Sequence, residues 1–104
     1  MNFMQGELSD EEIKADIMYK LFRKDCWGAK YLPFDAMVHW IGKQVKRNGK
    51  RVEKMMKELI KEGYLFVHKK GDTISLNSSR SKEIAEYIQK NLKQSHSDVH
   101  EYES

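Results

Sequence analysis

Along the first third of the chain the apolar residues Ile13, Ile17 and Leu21 recur every fourth position, joined by Met18 and Phe22. That spacing predicts an α-helix with one buried stripe. Ser9, followed three residues later by Glu12, has the form of a capping box, so the helix should begin there and end near Lys24. Trp27 to Pro33 reads as a loop with a short extended piece, because a residue before proline, here Leu32, is biased out of the α region. Pro33 can occupy the first position of a second helix, which carries Phe34, Met37, Val38 and Ile41 on one side and which Gly42 can close. A third helix is expected from Asn48 or Gly49 to Glu62. There Val52, Met55, Met56, Leu59 and Ile60 face the core, and Gly63 suits the left-handed position past the helix end. Tyr64 to Lys69 and Thr73 to Asn77 then alternate around a Lys70-Gly71-Asp72 turn, which predicts a β-hairpin with Leu65, Val67, Ile74 and Leu76 on one face. Asn77, Ser78 or Ser79 can cap a fourth helix whose stripe is Ile84, Tyr87, Ile88 and Leu92.

Charge changes this picture more through its placement than through its total. The net formal charge is only +3, from 19 basic and 16 acidic residues. Between Gly42 and Lys61, however, Lys43, Lys46, Arg47, Lys50, Arg51, Lys54, Lys57 and Lys61 stand against Glu53 and Glu58 alone. Residues 7 to 16 invert the balance, with Glu7, Asp10, Glu11, Glu12 and Asp16 against Lys14. One face should be electropositive and another acidic, which points to a polyanion as partner.

A chain of 104 residues holds one domain, expected over residues 9–93, with residues 1–8 and 94–104 as flexible ends. The single cysteine, Cys26, cannot form an intrachain disulfide, and the N-terminus lacks the basic and apolar regions of a signal peptide. With no apolar run of membrane-spanning length, a cytoplasmic location and no membrane partner are expected. His39, His68, His96 and His100 do not form a metal-ligand spacing with Cys26, and the glycines are too scattered for a phosphate loop. The expectation is therefore a protein without enzymatic activity, metal or cofactor.

From Lys57 to Asn77 the sequence K-E-L-I-K-E-G-Y-L-F-V-H-K-K-G-D-T-I-S-L-N resembles the end of the recognition helix and the wing of winged helix-turn-helix proteins. Trp27-Gly28, Leu32-Pro33, the basic segment through Gly49, Leu59 to Gly63 and Ser75-Leu76-Asn77 are, in that order, similar to small archaeal winged-helix proteins, a likeness covering about residues 10–92. The resemblance implies an α+β, mainly α fold: a three-helix bundle with a β-hairpin wing and a C-terminal helix. It also implies a duplex DNA-binding protein, a transcriptional regulator, whose third helix enters the major groove while the wing touches the backbone or minor groove. Arg47, Lys50, Arg51 and Lys54 would lie nearest base edges or phosphates. Arg47 and Arg51 are the candidates for reading sequence, since arginine bonds guanine bidentately. Lys43, Lys46, Lys57, Lys69 and Lys70 would contact phosphates. One departure stands out: residues 42–47 make a six-residue connection, whereas a helix-turn-helix joins its helices with about three or four.

Two other functions compete. A protein-interaction module could keep the scaffold, with Ile84, Tyr87, Ile88 and Leu92 either packing on the first helix or pairing two copies into a homodimer. An RNA-binding domain could use Trp27, Tyr31, Tyr64 and Phe66 to stack on unpaired bases.

Overall fold

The computed structural model describes residues 8–44 and 49–92. Four helices are present there: α1 (Asp10–Arg23), α2 (Phe34–Gln44), α3 (Gly49–Lys61) and α4 (Ser81–Asn91). Three short strands, β1 (Leu32–Pro33), β2 (Leu65–His68) and β3 (Thr73–Leu76), form one antiparallel sheet in the order β1-β3-β2. The fold is α+β and mainly helical. At the start of α1 both halves of the capping box are made, the Glu12 amide donating to Ser9 Oγ at 3.1 Å and the Ser9 amide to Glu12 Oε1 at 2.9 Å. Two orphan amides are thereby satisfied at the point where the chain enters the helix.

The hairpin pairs Leu65 with Leu76 and Val67 with Ile74, which puts these four residues on one face as their alternation predicts. Leu65, Ile74 and Leu76 are buried against the helices, while Val67, nearer the turn, reaches past them and stays 39% exposed. The wing has a third strand that the alternation does not reveal. Leu32 pairs with Ile74 and Pro33 with Thr73, so Pro33 belongs to β1 instead of opening α2. A residue without an amide hydrogen is tolerated on this edge strand. Helix α2 starts one residue later, where the Phe34 amide donates to the Asp72 carbonyl at 2.8 Å and ties the helix start to the hairpin turn.

The core is continuous across all the helices. Ile13, Ile17, Met18 and Leu21 of α1 meet Met37 and Ile41 of α2, Val52, Met55, Met56 and Leu59 of α3, and Ile84 and Ile88 of α4. Each such side chain contributes about 1.5–3 kcal/mol by leaving water, enough to hold α4 as part of the fold. This corrects the homodimer expectation for the fourth stripe. Ile84 is fully buried, Ile88 is 7% exposed, and Tyr87 and Leu92 pack on the same core, so the stripe is the seam between α4 and α1 and offers no free face to a second copy.

Gly42 does not end α2, which continues to Gln44. It sits inside the helix close to the start of α3: a Cβ on Gly42 would lie 3.4 Å from Gly49 Cα, in ordinary contact. Residues 42–44 of the expected six-residue connection are therefore helical. Positions 45–48, among them Lys46, Arg47 and Asn48, lie outside the described residues, as do 1–7 and 93–104, while Leu8, expected in the flexible N-terminal end 1–8, is buried in the core.

Asn77 is a cap, though for a single 3-10 turn (Ser78–Arg80) ahead of α4. Its Oδ1 accepts from the Ser79 amide at 3.0 Å and from Ser79 Oγ at 2.7 Å, and its Nδ2 donates to the Gly63 carbonyl at 2.8 Å. Gly63 has φ +89°, the left-handed turn expected after α3, and a Cβ there would meet Arg80 Nη1 at 2.8 Å.

Candidate nucleic-acid interface

Helix α3 is built from one apolar stripe and one cationic stripe. With 3.6 residues per turn, the buried Val52, Met55, Met56 and Leu59 centre on one side, and Lys50, Lys54, Lys57 and Lys61 fall within roughly 60° of one another on the opposite side. All four lysines are exposed. From Lys50 to Lys61 the row runs roughly 16 Å along the helix. Lys61 belongs to this row as fully as Lys54 does, although the family resemblance does not single it out; its spacing of four from Lys57 and seven from Lys54 is the signal for it.

The row is lightly compensated. Lys57 Nζ lies 3.2 Å from Glu53 Oε2, one turn away on the same helix, with 66% and 45% of the two side chains exposed. An i,i+4 pair in water contributes about 0.3–0.5 kcal/mol, which a phosphate can displace.

The flank of α3 that faces α1 is organised differently. Arg51 points away from the lysine row to Asp10 of α1, with Nη2 at 2.7 Å and Nε at 3.2 Å from the same Oδ1. Lys14 of α1, only 8% exposed, reaches back to α3 and just beyond its end, 2.9 Å from Glu58 Oε1 and 3.1 Å from Glu62 Oε2. Burial alone would lower the Lys14 pKa, but the hydrogen bonds and charges of Glu58 and Glu62 outweigh it and hold the ammonium above its ordinary value. Part of the acidic segment 7–16 is thus spent on fastening α1 to α3. The sequence marks Lys14 only as the lone cation of an acidic stretch, and Asp10 only as one of its five acids.

Of the remaining expected contacts, Lys43 is exposed on the last turn of α2, beside an open hollow lined by Asp35, Val38, His39 and Gly49. Lys69 and Lys70 occupy the hairpin turn, where Lys70 is exposed with φ +58°. Lys46 and Arg47 fall outside the described residues. The aromatic residues expected to stack on bases are mostly engaged. Trp27 and Tyr64 pack on the core, Tyr64 also lies 4.3 Å beneath the Arg80 guanidinium, and Tyr31 stacks on His68 at 4.7 Å. Phe66 alone of the four is prominently exposed, at 42%.

Cys26 is buried at the end of the α1 turn, its Sγ 3.6 Å from the Lys24 carbonyl, and burial pushes its thiol pKa up, away from the reactive thiolate. Among the described residues no group of three or more His, Cys, Asp or Glu side chains could hold a metal ion. Nor is any helix there long and apolar enough to cross a membrane. Comparison with protein-family models, curated proteins and solved structures returned no match.

Proposed function

We propose that this chain is a winged-helix protein that binds duplex DNA, with α3 in the major groove and the hairpin turn against the backbone. The observation that carries this reading is the row Lys50, Lys54, Lys57 and Lys61, four exposed cations on one side of a helix whose other side is core. A helix loaded with like charge repels itself unless an anionic partner relieves it, and a row of phosphates is such a partner. The hairpin following α3 suits the docking geometry of that class. Transcriptional regulation, which the family resemblance suggests, requires in addition that some sequences be preferred over others.

Lys43, Lys50, Lys54, Lys57, Lys61 and Lys70 are the described, exposed candidates for phosphate contact. Six contacts give a slope of roughly 0.9 × 6, or about −5, in log affinity against log salt. Titration of a random duplex between 50 and 200 mM salt should therefore show affinity falling by about a thousandfold. A flat response would sink this assignment. Single-stranded RNA should compete poorly for the same protein; equal or better competition would transfer the surface to RNA, for which the exposed Phe66 ring is the supporting feature.

A further inference from the structure

We propose that the outer face of the hairpin stacks an unpaired base, so that the preferred ligand is duplex DNA carrying a single-stranded end, a proposal that rests on the duplex-binding reading. The register puts Leu65 and Val67 on the core side of β2. Phe66 and His68 therefore share the opposite side, about 7 Å apart along the strand, across from Ser75 and Thr73. Tyr31, just ahead of β1, lays its ring on His68, with 4.7 Å between centroids and 29° between planes. Because β1 and β2 are the two edges of the sheet, this stack spans β3. There Ser75 is fully buried, and its Oγ lies 2.9 Å from His68 Nε2. The imidazole is held by both neighbours, and Phe66 stands beside it with 42% of its surface exposed.

Size and charge decide what this face fits. A stable protein interface covers about 800 Å² on each partner, whereas this face offers one large exposed apolar side chain among the described residues, Phe66. One ring matches one base. Every base has a π-face, and proteins that bind single strands combine stacking rings with cations that follow the backbone. Lys30, next to Tyr31, and Lys70, in the turn after His68, are exposed here, against the exposed Asp72. Only Glu62 to Tyr64 separate α3 from β2, which brings the end of the lysine row next to the hairpin. A duplex on α3 whose end opens at the hairpin satisfies both surfaces.

The test compares the full chain on a blunt duplex and on the same duplex extended by unpaired thymines on either strand, at one salt concentration. The better extended duplex should bind at least about fivefold tighter than the blunt one, the gain expected of one stacked base. Phe66→Leu, which keeps apolar bulk without a ring, should erase that gain and leave blunt-duplex affinity unchanged, and Phe66→Tyr should keep it. A fluorescent adenine analogue at the first unpaired position should be quenched by the wild type and not by Phe66→Leu. Equal affinity for the blunt and extended duplexes, or a preference that Phe66→Leu retains, overturns this inference and leaves duplex binding standing. Absence of blunt-duplex binding even at low salt overturns both.

Discussion

The two sides of α3 carry the same chemistry to different ends. On the side facing α1, each described cation has a carboxylate of the same chain within hydrogen-bond distance: Arg51 on Asp10, and Lys14 between Glu58 and Glu62. On the solvent side four lysines share one acid, Glu53. Basic residues near a helix are therefore not interchangeable as markers of a binding surface. What separates architecture from interface is whether the fold already supplies the counter-charge.

Replacing all four of Lys50, Lys54, Lys57 and Lys61 with alanine should strain that comparison most. Four lost phosphate contacts lower duplex affinity by about a thousandfold at 0.1 M salt and flatten the salt slope to about −2. Stability should change by no more than about 0.5 kcal/mol per position, as for surface positions generally, against a much larger loss of binding. Equal losses in stability and binding would show that the row is structural. Lys14→Met should do the reverse. Removing one member of a buried ion cluster can cost 3–5 kcal/mol, but Glu58 and Glu62 are 38% and 44% exposed and can rehydrate. Chemical denaturation should show a loss of about 2 kcal/mol with duplex affinity unchanged.

Alkaline pH probes the same cluster without mutation. The raised Lys14 pKa means its contribution is complete below the ordinary 10.5 and lost as pH climbs through the folded value. Burial raises Tyr87 as well, so the folded state resists ionisation of that phenol and is penalised from about pH 10.0 upward. Both act in one direction: the unfolding midpoint should fall above about pH 10, and Lys14→Met should fall less steeply. Smallest of all should be Arg51→Ala. Its pair with the 54% exposed Asp10 contributes at most about 1 kcal/mol, and since the guanidinium is turned from the row, duplex affinity should shift less than twofold, read by the same titration.

Features fixed by near neighbours were legible in the sequence. The capping box at Ser9 and Glu12, the period of α3, the shared face of the hairpin and the left-handed Gly63 each depend on residues a few positions apart. Features that depend on distant partners were not. Pro33 joins a strand because β3, some forty residues on, offers an edge at Thr73. Gly42 lies inside α2, close to Gly49 of α3, instead of closing the helix. The same boundary divides the candidate site. Periodicity places the lysines on one side of α3, whereas the engagement of Arg51 is decided by an aspartate 41 residues earlier.

Asn77 has a mechanical consequence. One carboxamide grips the carbonyl that follows α3 and the turn that precedes α4, while its own backbone continues β3. That side chain joins the root of the hairpin to both helices, adding to the buried Leu65, Ile74 and Leu76, so the wing is anchored at its base and is not a loose flap.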